Sequence, residues 1–196
     1  QFPAAQPGPD EDFNTDKAVN MDTVDSFLGI EGVAYRDMRM LRDPANCSSI
    51  GGNPDLDIVL EEFKIVPFPY IGTLQALPVD GAYAGNALFG ITWDENDQIV
   101  DAQAAFNESP HIIEDLFPRD KPIVLMCGDG GYASIMRKLL TYLGWEESNL
   151  RNAGGAWDYT GYRSIQIIEH DSQGAAHYRT WRADYAQIMF EQLTKR

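Results

Sequence analysis

The sequence is poor in cysteine, in basic residues and in long apolar runs. Its 196 residues include two cysteines, Cys47 and Cys127, which are too few for a disulfide framework and lack the paired spacing of a zinc site. Lysine and arginine number 15 against 30 acidic residues, and the resulting net charge of −15 argues against binding to nucleic acid or to anionic lipid. With these classes excluded, one of the two cysteines is a candidate for a reactive thiol.

The first part of the chain contains almost no branched aliphatic residues. Residues 1–22 are rich in proline and acidic residues, a composition that predicts a flexible acidic tail ahead of the folded domain. No apolar run approaches the roughly 20 residues of a membrane-spanning helix, so we expect no transmembrane segment. The chain opens on Gln1 rather than Met, and a tether-like tail favours an exported or membrane-anchored extracytoplasmic protein over a cytoplasmic one.

Residues 23–196 are predicted to form a single domain in which strands alternate with helices. Strand-like segments are expected at residues 32–39, 63–71, 87–94, 122–127 and 164–170, and a helix at 110–117 with Ser109 as its N-cap. This alternation predicts an α/β fold with a mainly parallel central sheet.

Two further segments complete the predicted domain. Residues 40–80 are rich in turn-forming residues and are interpreted as an insertion, with one short helix near residues 57–63. Residues 177–193 are predicted to form an additional C-terminal helix, because Trp181, Tyr185, Ile188 and Met189 fall on one helical face.

The most informative stretch is PIVLMCGDGGYA, residues 122–133. Its continuous apolar run predicts a central parallel strand that ends at Cys127, and a helix with an apolar stripe follows and ends at Gly144. Ligands bind at the carboxyl ends of such strands, and glycine-rich turns can direct successive N–H groups inward as an anion cradle. The helix N-terminus would favour the thiolate. Cys127 is therefore the candidate nucleophile, and the cradle comprises Gly128, Asp129, Gly130, Gly131, Tyr132 and Ala133.

Over about residues 30–160, the chain resembles the rhodanese-like family. Cys127, Gly130 and Ala133 match positions of that family's active-site pattern, and Tyr132 takes the place of its arginine. The segment 35–39 contains Asp37 and Arg39 in the spacing of the family's strand-end Asp-x-Arg. Residues 152–159, NAGGAWDY, resemble its Gly-Gly-x-x-W segment, and residues 81–91 are a weaker match.

The resemblance implies a three-layer α/β/α fold and a sulfurtransferase activity. Cys127 would take a sulfane sulfur from a small-molecule or protein-bound donor, hold it as a persulfide and pass it to a thiol or another nucleophilic acceptor. Asp37 and Arg39 would support the neighbourhood of the active site. The resemblance implies no metal and no organic cofactor.

The loop departs from the family at two positions. The arginine is missing, and the carboxylate of Asp129 opposes both thiolate formation and the approach of a dianion such as thiosulfate. An organic persulfide or a protein-bound donor therefore suits the loop better. The same departures, together with the insertion, favour an alternative function as a catalytically silent rhodanese-like binding module. A cysteine phosphatase would need arginine at position 133, where this chain has Ala133.

The remaining candidate residues give weaker indications of a functional role. Tyr132 and Trp157 are candidates for an apolar mouth that selects a larger donor, in a neighbourhood that we expect to include Trp145. Cys47, in a turn-rich stretch, is interpreted as a loop cysteine without a role. The three histidines share no spacing that would indicate a metal site or a Cys–His dyad.

Overall fold

The computed structural model describes residues 28–39, 58–73, 87–128, 130–155, 164–166, 168–178 and 182–196. The strands in these ranges are β1 Ala34–Asp37, β2 Ile58–Leu60, β3 Lys64–Ile65, β4 Phe89–Trp93, β5 Ile99–Ala104, β6 Ile123–Cys127, β7 Leu150–Gly155, β8 Ser164–Gln166, β9 Ile168–His170 and β10 Ala176–Tyr178. The α-helices are α1 Phe68–Ile71, α2 Ser109–Leu116 and α3 Gly131–Tyr142, and 3-10 turns cover Glu147–Asn149 and Phe190–Gln192.

Four parallel strands form the central sheet in the order β3-β1-β6-β7. This arrangement confirms the predicted α/β fold with a mainly parallel sheet, and it is compatible with three layers. The other paired strands are antiparallel: β4 with β5, β2 with β8, and β9 with β10. The predicted tail at 1–22 lies outside the described residues. No helix in the described part of the chain combines the length and apolar character that a membrane span requires.

Strand β6 is buried along its whole length, as its apolar run predicts. Ile123, Leu125 and Cys127 belong to the larger hydrophobic cluster, which also contains the buried face of α3. Val124 and Met126 belong to a second cluster. That second cluster is completed by Tyr35, Leu60, Phe63 and Ala153. Because side chains alternate along a strand, β6 packs against apolar residues on both of its faces.

Helix α3 follows the predicted stripe. Its buried residues are Ala133, Met136, Leu139 and Leu140, and Ile135 and Leu143 pack at the margin. The helix ends where Gly144 adopts a φ of 96°. The Gly144 N–H donates to the Thr141 carbonyl and the Trp145 N–H to the Leu140 carbonyl, at 3.0 and 2.9 Å, which is the Schellman pattern.

Helix α2 begins one residue earlier than predicted. Glu108 is the N-cap and Ser109 is the first helical residue, so the prediction of Ser109 as N-cap was wrong. The Ser109 hydroxyl is fully buried; it accepts the Phe106 N–H at 3.2 Å and donates to the Leu88 carbonyl at 2.7 Å. The Ser109 hydroxyl thus joins the backbone at Leu88, which precedes β4, to the first turn of α2.

The segment predicted as an insertion contributes to the central sheet. Residues 58–60 form β2, which pairs with β8, so the short helix predicted near residues 57–63 was wrong. The strand predicted at 63–71 is only its first part, β3, because Pro67 and Pro69 introduce α1 instead. Phe68 and Ile71 of α1 are fully buried in the larger cluster.

The predicted C-terminal helix was also wrong. Within 177–193, the described residues include part of β10 and the 3-10 turn Phe190–Gln192, with extended backbone at 184–186. The physical reason is the open edge of β3, whose backbone groups need partners. The Ile65 N–H donates to the Asp184 carbonyl at 2.7 Å, and the Ala186 N–H donates to the Ile65 carbonyl at 2.8 Å. Residues 184–186 thus extend along the edge of the sheet, and apolar spacing alone does not reveal that.

Candidate functional site

Cys127 lies at the carboxyl end of the central strand β6, where the sequence placed it. Its side chain is 1% exposed. The Gly130 N–H donates to the Cys127 sulfur at an N–S distance of 2.9 Å. A backbone N–H directed at sulfur stabilises a negative charge there, so the contact favours the thiolate form of Cys127.

The conformation of Gly130 makes this contact possible. Gly130 has φ 101° and ψ −8° and is the N-cap of α3. A side chain at this φ would be strained, which explains the need for glycine. The Gly130 carbonyl accepts the Ser134 N–H at 2.9 Å, so one residue both starts the helix and faces the sulfur. The twelve-residue helix α3 begins at Gly131 and directs its partial positive end toward Cys127.

The predicted supporting pair, Asp37 and Arg39, forms a buried salt bridge beside the site. Asp37 is fully buried and Arg39 is 1% exposed. The Arg39 Nη2 donates to Asp37 Oδ2 at 2.7 Å, and the Arg39 Nε contacts both carboxylate oxygens at 3.1 and 3.0 Å. Asp37 is the β1 partner of Met126, the residue that precedes Cys127. The pair therefore fixes the strand end that adjoins the cysteine.

Tyr132 makes an aromatic contact at the start of α3. Its ring stacks on Phe68, with centroids 5.8 Å apart and an interplanar angle of 11°. Tyr132 is half-buried, whereas Ala133 is fully buried in the larger cluster. The helix start next to Cys127 thus presents an apolar ring supported by α1.

Asn152, in β7, is a member of the site that the sequence did not single out. It is fully buried, and its Nδ2 donates to the Gly130 carbonyl at 3.1 Å. The Gly154 N–H donates to Asn152 Oδ1 at 2.8 Å. The available signal was an amide between Leu150 and Ala153 in a strand, because a buried amide needs hydrogen-bond partners.

Several residues that were predicted near the cysteine loop lie elsewhere in the structure or outside the described residues. Trp145 lies beyond the opposite end of α3, where its Nε1–H donates to the Phe117 carbonyl at 2.9 Å, so its expected position near the loop was wrong. Gly128 is buried next to Cys127. Cys47, Asp129 and Trp157 lie outside the described residues.

His111 and His170 are exposed. His111 lies on α2, where its Nε2 is 3.3 Å from the Asp115 carboxylate and both side chains are exposed. Among the residues that the structure describes, no group of three or more His, Cys, Asp or Glu side chains is arranged to hold a metal ion. The described site brings together the Cys127 sulfur, the Gly130 N–H and the N-terminus of α3.

Comparisons with protein-family models, with curated proteins and with solved structures gave no match to this chain.

Proposed function

We propose that this protein is a rhodanese-like sulfurtransferase that carries a sulfane sulfur as a persulfide on Cys127. The observation that carries the proposal is the contact of the Gly130 N–H with the Cys127 sulfur, at the end of the central parallel strand. A persulfide places a negative charge on its outer sulfur. Backbone donors and a helix N-terminus are suited to stabilise that charge, as an oxyanion hole stabilises an alkoxide.

The reaction consists of two displacements. In the first, the Cys127 thiolate attacks the outer sulfur of a donor persulfide, the sulfur–sulfur bond of the donor breaks, and the donor leaves as its thiolate. In the second, an acceptor thiolate attacks the outer sulfur of the Cys127 persulfide. The acceptor then carries the persulfide and the Cys127 thiolate is regenerated. No oxidant is consumed, and the covalent intermediate divides one transfer into two easier ones.

The surroundings of Cys127 support the rhodanese-like form of the three-layer fold. The Asp37–Arg39 pair stabilises the neighbouring strand end, as the Asp-x-Arg of the family would. Gly154 has a φ of 78° at the start of the Gly-Gly pair that ends β7, a conformation that glycine adopts readily. Both features lie on strands that flank β6.

The donor that we propose is an organic or protein-bound persulfide. Tyr132 and Phe68 place stacked rings at the helix start where the family pattern has a cation. An arginine would attract the two negative charges of thiosulfate, whereas an aromatic surface favours an apolar or weakly charged group. Thiosulfate is therefore expected to be a poor donor.

A second candidate function is a catalytically silent binding module of the same fold. The specific observation in its favour is the burial of Cys127, of which only 1% is exposed, because a donor must reach the sulfur. Tyr132 in place of arginine also favours the silent binding module. In this alternative, Cys127 is a small buried hydrophobic residue and the helix start serves only the fold.

Steady-state sulfur transfer separates the two functions. The assay uses a low-molecular-weight persulfide as donor and a small thiol as acceptor, with both concentrations varied. We expect ping-pong kinetics, retained in Cys47→Ser and abolished in Cys127→Ser. Equal rates with the native protein and with Cys127→Ser would support the silent module instead.

A further inference from the structure

Asn152 is a buried polar residue in β7, a strand in which Arg151 alone is partly exposed. It pairs in register with Leu125 of β6, and Leu150 and Ala153 of the same strand are buried apolar residues. Burial of an amide without hydrogen bonds costs free energy, so an apolar residue would be the simpler choice at this position. The hydrogen bonds of the Asn152 amide therefore compensate for its burial, and their partners show what the amide holds in place.

Two bonds of the Asn152 amide define its orientation. The Gly130 carbonyl can only accept, so it faces the NH2 group, and the Gly154 N–H can only donate, so it faces Oδ1. One side chain thus joins the loop after β6 to the end of β7. Both glycines that it holds have positive φ values, 101° for Gly130 and 78° for Gly154.

The consequence for Cys127 follows from the geometry of Gly130. Its carbonyl is held from two directions, by the Ser134 N–H at 2.9 Å and by Asn152 Nδ2 at 3.1 Å. Its N–H contacts the Cys127 sulfur at 2.9 Å. Glycine has more accessible backbone conformations than other residues, so a second anchor on the carbonyl restricts rotations that would turn the N–H away from the sulfur.

We propose that Asn152 is a positioning residue, whose amide holds the Gly130 carbonyl so that the Gly130 N–H remains directed at the Cys127 sulfur. Its importance for catalysis rests on the proposed sulfur transfer; its effect on the thiolate does not. In this role Asn152 acts through Gly130, whose carbonyl it holds.

The test is a titration of the Cys127 thiolate by its ultraviolet absorbance in the Cys47→Ser protein, with the Cys47→Ser, Cys127→Ser protein as the blank. Asn152→Leu preserves the approximate volume and removes both hydrogen bonds; Asn152→Ser is a smaller, polar second variant in case the first does not fold. We expect either variant to raise the thiol pKa. At a fixed pH, the ratio of thiolate to thiol should fall by about tenfold, which is the change expected when one hydrogen bond to a charged group is lost.

Leu150→Val is the matched control, because it changes a buried side chain on the same strand without touching the loop. The Asp37–Arg39 pair and Asp129 are unchanged in all of these proteins. Titration curves for the Asn152 variants that coincide with the parent, or that shift no more than the control, would overturn the inference. The titration needs no sulfur donor, so a native protein that fails to transfer sulfur would count against the proposed function alone.

Discussion

At the scale of single residues, position 132 sets the charge that a donor would meet in the proposed sulfur transfer. Tyr132 stacks on Phe68, which is fully buried, so the start of α3 presents an aromatic ring there and not a cation. An arginine has a planar fork of donors suited to an anionic donor group. The choice of residue at this one position therefore bears on the class of donor.

Tyr132→Arg should shift the donor preference toward thiosulfate. We expect the ratio of kcat/KM for thiosulfate to kcat/KM for an organic persulfide to rise by about tenfold, because the guanidinium attracts the dianion. Tyr132→Phe is the matched control, since it keeps the stacked ring and adds no charge, and it should leave the ratio nearly unchanged. A ratio that moves equally in both variants would contradict the role assigned to charge.

The buried pair of Asp37 and Arg39 gives a prediction about stability. Arg39→Met leaves the Asp37 carboxylate buried without its main partner, and we expect the free energy of unfolding to fall by about 3–5 kcal/mol in urea titrations. The double variant Asp37→Leu, Arg39→Met removes both charges and should recover most of that loss. A double variant less stable than Arg39→Met would show that the pair is not the source of the effect.

At the scale of secondary-structure elements, β6 and α3 form the unit that positions the cysteine. The strand ends at Cys127, the helix begins four residues later, and Gly144 ends the helix with a φ of 96°. The Schellman bonds at Gly144 satisfy carbonyls that the helix leaves without partners. The far end of α3 is thereby fixed independently of the loop.

Gly144→Ala should destabilise the protein by about 1 kcal/mol, because the left-handed conformation is unfavourable for alanine. Gly90→Ala in β4 is the matched control: Gly90 has no positive φ, and an added Cβ would meet only the Gln103 carbonyl at 4.0 Å. Urea midpoints of the two variants provide the comparison. Equal losses of stability would contradict the role of backbone strain at Gly144.

The sequence predicts this unit well because its signals are local. An apolar run, a glycine-rich turn and a helical stripe all lie within residues 122–144, and the structure has β6, the turn and α3 there. Long-range features were missed or misread. β2 pairs with β8, about a hundred residues away, so the segment 57–63 has no local reason to be a strand. Asn152 contacts Gly130 from 22 residues further along the chain, where spacing alone carries no signal.

At the scale of the whole molecule, the C-terminal segment closes the open edge of the sheet. The spacing of Tyr185, Ile188 and Met189 suits a helix, yet Tyr185 forms a parallel bridge with Ile65, and its hydroxyl is 3.2 Å from that of Tyr70. Tertiary hydrogen bonding at the sheet edge overrides local helical propensity here. Phe190 then packs against Tyr70 and Phe106, with ring centroids 5.5 and 5.6 Å apart.

Phe190→Ala should lower the free energy of unfolding by about 3 kcal/mol, because it removes a buried ring from the larger cluster. Met189→Ala is the neighbouring control; Met189 is 42% exposed, and its loss should change stability by less than about 0.5 kcal/mol. Chemical denaturation of both variants tests the contrast. A similar loss in each would indicate that the segment contributes little through packing.

The central claim is that Cys127 carries sulfur, and intact mass spectrometry under non-reducing conditions tests it most directly. The protein is incubated with a low-molecular-weight persulfide, freed of excess donor and measured alongside Cys47→Ser and Cys127→Ser. We predict a mass gain of one sulfur atom in the native protein and in Cys47→Ser, removed by a thiol acceptor, and no gain in Cys127→Ser. A folded native protein that gains no sulfur, or a gain that persists in Cys127→Ser, would contradict the account.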